Sequence, residues 1–190
     1  MSTTHRRSSF GRAQHRRAQS GLGIIEVLVA LVVVSFGVLG MAGLQLTGMK
    51  HSTSGYNRSK ALLLAENMAT RIRINQPAVD AASYADVDSD NVDCATPPAP
   101  YCQANLSTAA AACTTAELAV FDVYSVSCGD LGTTADYGVK GMLPSGQLTV
   151  LCNDAPCLAT SSYTVTVTWN ESAARSDDQE TRRVQMRLRP

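Results

Sequence analysis

The spacing of apolar residues changes along this chain, and each change marks a different element. From Val27 to Met49 there are 23 residues without a charge. As a helix this run is roughly 34 Å long, enough to cross a hydrocarbon core of about 30 Å. Beyond it the apolar residues thin to a stripe at Ala61, Leu64, Ala65, Met68 and Ile72, with Arg58, Lys60, Asn67, Arg71 and Arg73 elsewhere around the helix. Spacings of three and four continue the same helix with one face left to pack. Asn75-Gln76-Pro77 stops it, because proline lacks an amide donor and disfavours helical geometry in the residue before it. The pattern therefore predicts one helix from Leu22 to Ile74, roughly 80 Å long.

Residues 77–116 are rich in Ala, Asp, Ser, Thr and Pro with little periodicity, and read as a long loop. A second helix is expected from Thr115 to Ser125, where Glu117 follows a Thr-Thr cap. Strands follow. Leu148 to Cys152 comes after the turn Pro144-Ser145-Gly146, and Tyr163, Val165, Val167 and Trp169 alternate with Thr164, Thr166 and Thr168. After a polar loop from Asn170 to Glu180, Val184, Met186 and Leu188 alternate with Arg183, Gln185, Arg187 and Arg189 as a returning edge strand. The apolar faces of this hairpin and the helical stripe can bury each other, which predicts a small α+β domain.

A formal charge of zero hides a division along the chain. Of its 16 basic residues, five arginines lie in the first 21 positions with no acid, leaving 11 basic against 16 acidic residues, a net of −5, in the remainder. No basic patch for nucleic acid is left there. An arginine-rich segment before an apolar helix instead obeys the positive-inside rule, with the N-terminus cytoplasmic and everything past Met49 outside. All six cysteines, Cys94, Cys102, Cys113, Cys128, Cys152 and Cys157, fall in that outer part, where disulfides persist. Only Cys152 and Cys157 are close enough in sequence to pair on spacing alone, and the other four stay open. The spacings do not make a zinc site, and beyond the first 21 residues the only histidine is His51. The acidic run Asp86, Asp88, Asp90, Asn91, Asp93 fails the calcium-loop pattern at the glycine position and at the twelfth, which is Pro97. No nucleophile with a base partner and no phosphate loop appears, so no catalytic residue, metal or cofactor is expected.

Residues Gly21 to Glu26 read Gly-Leu-Gly-Ile-Ile-Glu, between the basic segment and the apolar run. A carboxylate inside an apolar helix needs a reason, since insertion charges roughly 2.5 to 3.5 kcal/mol for Asp at mid-membrane. Two reasons are available: pairing with a positive charge, or a place in the first helical turn, where the macrodipole favours an acid by about 0.3 to 1 kcal/mol. An ordinary secretory signal is cut after its apolar core, and Gly40-Met41-Ala42 offers such a cut, but the helical pattern continues through it. Gly37, Gly40, Gly43 and Gly48 inside the run either weaken the helix or permit close packing with a neighbour.

The order of basic leader, Gly21, Ile25, Glu26 and apolar helix resembles the leader of type IV pilins and pseudopilins, with Leu22 and Gly23 departing from the usual Phe and Thr. The resemblance implies cleavage between Gly21 and Leu22, N-methylation of Leu22, and pairing of Glu26, fifth from the new end, with the N-terminal amine of a neighbour. It implies a pilin-like fold: a long N-terminal helix, transmembrane half plus amphipathic half, packed on a small antiparallel sheet. The divisions it implies are a leader over 1–21, a transmembrane or filament-core helix over 22–49, an amphipathic continuation over 50–76 and a disulfide-bonded head over 77–190. The implied partners are the major pilin, other minor pilins, the prepilin peptidase and the inner-membrane assembly machinery, with the head first periplasmic and then on the pilus. A type II secretion pseudopilin and a membrane-anchored adhesin are the alternatives.

Overall fold

The computed structural model describes residues 23–104, 109–129, 137–172 and 178–190. It divides into two compact units, Met1–Gln45 and Leu46–Pro190. The described part of the first unit is helical from Ile24 onward, and every side chain from Gly23 to Gln45 is exposed. Helix α1 as a whole spans Ile24–Ile74. It ends as its sequence demands: Arg71 and Arg73 occupy the last turn, where cations complement the helix dipole. Asn75 then starts a short helix α2, Gln76–Asp80, which carries Pro77 in its first turn, where a missing amide costs least.

In the second unit α1 buries Ala61, Leu64, Ala65, Met68, Ala69 and Ile72, the predicted stripe plus Ala69. These residues share one core with a four-stranded antiparallel sheet of order β1-β2-β3-β4. The strands are β1 Asp86–Asp88, β2 Gln147–Cys152, β3 Tyr163–Ser172 and β4 Gln179–Leu188. Along β3 the pleat buries Tyr163, Val165, Val167 and Trp169 and leaves Thr164, Thr166 and Thr168 half-buried on the outer face. Registers Val87↔Val150, Val150↔Val165 and Val165↔Met186 carry one inward row across all four strands. A well-packed position such as Met68, 0% exposed, would cost about 2 to 5 kcal/mol on truncation to alanine. The fold is α+β, a long N-terminal helix with a small antiparallel sheet.

Helix α3 spans Thr115–Cys128, beyond the expected end at Ser125, and a four-residue helix α4 covers Val139–Met142. A capping box opens α3: Glu117 N donates to Thr114 Oγ1 at 3.3 Å and Thr114 N to Glu117 Oε2 at 2.7 Å. Gly129 closes it at φ 90°, where a Cβ would lie 2.8 Å from Tyr137 Cβ.

Two sequence expectations are corrected. Residues 77–116 are not wholly loop, for they hold α2, β1 and a 3-10 turn at Ser89–Asn91. A three-residue strand with one apolar position has no alternation to read, and β1 is fixed by partners some 60 residues away, with Asp86↔Leu151 and Asp88↔Thr149. The loop from Asn170 to Glu180 is also shorter than expected, because Asn170↔Thr181, Glu171↔Glu180 and Ser172↔Gln179 extend the hairpin ladder. Cross-strand bonds override the polar character of those residues.

Candidate functional site

Glu26 lies in the first turn of α1, and its amide donates to the carbonyl of Gly23 at 2.9 Å. Around and beyond it the apolar side chains are bare, with Ile24 83%, Phe36 71% and Leu44 76% exposed. Among the described residues α1 is the one helix long and apolar enough to cross a membrane. Gly21 and Leu22, the residues of the expected cleavage and methylation, lie outside the described residues.

Three disulfides join Cys94 to Cys128, Cys102 to Cys113 and Cys152 to Cys157. The first ties the segment after β1 to the end of α3. The second closes a smaller loop, and Tyr101 just before it meets Phe121 of α3 edge to face at 4.8 Å between ring centres. The third staples the turn between β2 and β3.

Two buried polar clusters hold α1 to the rest of the second unit, and the sequence reading had missed both. In the first, Asp122 of α3 is the hub. Arg71 Nη1 donates to Asp122 Oδ1 at 2.8 Å, while its Nη2 reaches Ser125 at 3.0 Å and its Nε reaches Asn67 at 2.8 Å. The hydroxyl of Tyr84 donates to Asp122 Oδ2 at 2.6 Å and accepts from Asn75 Nδ2 at 3.1 Å. Asn75 also donates to the carbonyl of Thr115 at 2.9 Å. Burial, then the hydrogen bond and negative charge of Asp122, hold the Tyr84 phenol well above its usual pKa.

In the second cluster, Glu171 of β3 accepts from Trp169 Nε1 at 2.6 Å and from Asn57 of α1 at 3.4 Å, with Arg182 at 3.8 Å. Burial alone would raise this carboxyl, but donors Trp169, Ser54 and Asn57 and the charge of Arg182 bring it below its usual value. Of these, Ser54, Asn57, Glu171 and Arg182 line an open cavity of about 440 Å³ with Lys50, His51 and Pro144. A signal for each cluster existed. Asp122 interrupts the apolar run Leu118 to Val126, and Glu171 is two residues from a tryptophan on the same strand face, whose indole N–H requires a partner when buried.

A second cavity, of about 580 Å³, opens beside β1 and is lined by Asp86, Val87, Asp88, Asp93, Val120 and Val123 among others. Two of its acids are hydrogen-bonded: Gln147 Nε2 donates to Asp88, and also to nearby Asp90, each at 3.0 Å, and Asp93 accepts from Ala95 N and Thr96 Oγ1, each at 2.9 Å. Those two bonds to Asp93 lower its pKa. No cluster of three metal-ligating side chains occurs among the described residues. Nowhere do these residues assemble a nucleophile and a base, and what the second unit offers is a braced scaffold with two open sheet edges.

Residues 43–124 match a family of type IV pilins, described as Tt1218-like. The match runs from the middle of α1 through α2 and β1 into α3, and together with the long helix and four-stranded sheet it supports a type IV pilin-like family. No curated protein and no solved structure gave a match.

Proposed function

We propose that this chain is a minor pilin of the type IV pilus, similar to the type IV pilus modification protein PilV, that primes assembly together with other minor pilins. The observation that carries the reading is Glu26, a carboxylate in the first turn of a helix whose apolar first half is exposed, in a chain whose residues 43–124 match a pilin family. Resemblance to PilV rests on Glu26-Val-Leu-Val-Ala-Leu31, Gly40-Met-Ala-Gly-Leu-Gln45, Leu62-Leu-Leu-Ala65 through Arg71-Ile-Arg73, and the ending Tyr163 to Pro190. The subunit waits in the inner membrane with its amine cytoplasmic and its head periplasmic. The prepilin peptidase cuts after Gly21 and methylates Leu22. On packing, the new amine of a neighbour meets Glu26 and both charges are neutralised as the helices leave lipid.

Intact-mass measurement with N-terminal sequencing tests the reading. The expected mature chain begins at Leu22 and carries one methyl group. A mature start at Gly43 would mean ordinary signal removal, discard Glu26 and end the proposal.

A further inference from the structure

The four-stranded sheet ends in two unpaired edges, β1 and β4, and they carry opposite charge. On the outer face the register aligns Asp86 with Leu151, Leu151 with Thr164 and Thr164 with Arg187, so an acid on one edge and a base on the other terminate the same row. Along β4, Arg183 and Arg187 are exposed and form no ion pair among the described residues. Beside β1, Asp86 and Asp88 line the 580 Å³ cavity together with Val87 and Val123. Three strand spacings of about 4.8 Å separate the edges by roughly 14 Å, beyond a Debye length of about 8 Å at physiological salt. Neither edge is therefore neutralised by the other within one molecule.

We propose that the β4 edge of one copy docks along the β1 edge and cavity of a second copy, with Arg187 facing the second copy's Asp86. Charge complementarity selects this occupant. Two β4 edges brought together would set arginine against arginine, and two β1 edges aspartate against aspartate, both repulsive when directly opposite. Only unlike edges attract. Both sets of charges share one sheet face, so an antiparallel join that sets Arg187 against Asp86 places Gln185 against Asp88 and leaves Arg183 to act at longer range. Such a contact uses different surfaces on the two copies, and repeated it extends a row instead of closing a dimer. The charges that guard each edge against its own kind, a common protection of open sheets, here also set the direction of growth. The inference rests on the filament-subunit reading and adds to it a polarity for contacts between heads.

The test uses the full chain in detergent micelles, with self-association followed by sedimentation at increasing protein concentration. Wild type should associate, less so at high salt. Arg183→Glu with Arg187→Glu, and separately Asp86→Arg with Asp88→Arg, should each weaken association roughly tenfold. Mixing the two variants should restore it, because the acidic β4 of one then meets the basic β1 of the other. A misfolded variant would not be rescued by mixing, and circular dichroism of each variant alone shows whether folding was kept. The proposal is overturned if wild type stays monomeric, if either variant associates at wild-type strength, or if the folded variants stay apart when mixed. None of these outcomes touches the mass test of processing at Gly21, so the contact and the pilin reading fail separately.

Discussion

Tyr84 and Asp122, 38 residues apart in sequence, meet in a 2.6 Å hydrogen bond that the phenol donates to the carboxylate. The bond completes a carboxylate that already receives Arg71, so α1, α3 and the segment before β1 are joined through one side chain. Asp122 is only 5% exposed at its side chain, which makes its partners hard to dispense with. Removing one member of a buried pair typically costs about 3 to 5 kcal/mol, because the other charge is left uncompensated. Arg71→Leu should lower stability by about 3 kcal/mol in thermal or denaturant unfolding. Arg71→Lys should recover part of this, since an ammonium lacks the fork that reaches Asn67, Ser125 and Asp122 together. Equal stability of Arg71→Leu and wild type would show the cluster to be ornamental.

Tyr84 sets an alkaline limit. Its pKa is raised above the usual 10.0, first by burial and then by Asp122. Below pH 10.0 the phenol is neutral whether the chain is folded or not, and its contribution is whole. As pH rises further, the unfolded chain releases the proton while the folded one retains it, so stability falls until the folded value is passed. Tyr84→Phe should flatten this alkaline decline, measured as unfolding free energy against pH.

Glu171 acts at the other limb with the opposite sign. Its folded pKa lies below the usual 4.5, burial being outweighed by Trp169, Ser54, Asn57 and Arg182. Its stabilisation is present above pH 4.5 and is lost as pH falls through the folded value. Glu171→Gln should make the acid limb shallower, and an unchanged acid profile would count against the account. Glu117 and exposed Asp93 are lowered too, by Thr114 and by Ala95 with Thr96, and they add slope in the same direction.

The disulfides should rank by the chain they close. Cys94 and Cys128 are 34 residues apart and Cys152 and Cys157 only 5, so loop entropy assigns about 4 kcal/mol to the first and about 2 to the last. Replacing Cys94 and Cys128 together by serine should therefore cost more than the same change at Cys152 and Cys157, compared by chemical denaturation. Alkylation before reduction should label none of the six cysteines of the native protein.

Glu26→Ala separates pairing from a mere helix-end effect. If Glu26 meets a neighbour's amine, the variant should insert, be processed and form its disulfides, yet be missing from sheared filaments. A helix-end acid is worth about 0.3 to 1 kcal/mol, against about 3 to 5 for half of a broken buried pair. Wild-type incorporation of the variant would reduce Glu26 to the smaller role.

Elements with strong periodicity were legible in the sequence. The stripe from Ala61 to Ile72 and the alternation from Tyr163 to Trp169 each name a buried face because one side of each element touches the core. The strand β1 was not legible, since Val87 is its single inward residue and its pairing with Val150 is supplied from the far side of α3. Nor were the polar clusters, although Asp122 stands in an apolar run as Glu26 does, and the argument from a misplaced charge applied to both. Periodicity reports which face is buried. It does not report which polar group on that face will find a partner.

The glycines of α1 have a consequence for the motion of the helix. A Cβ built at Gly37, Gly40, Gly48 or Gly55 meets nothing within 4 Å, so alanine would fit at each without a clash and the weakness is not forced by crowding. At up to about 1 kcal/mol relative to alanine, each favours local opening by roughly fivefold. The same helix is clamped from Ala61 to Ile72 by residues 0% to 8% exposed at its buried positions. Read as amide exchange, α1 is two substances in one continuous coil, with deuterium entering quickly between Gly37 and Gly55 and slowly where the core grips it.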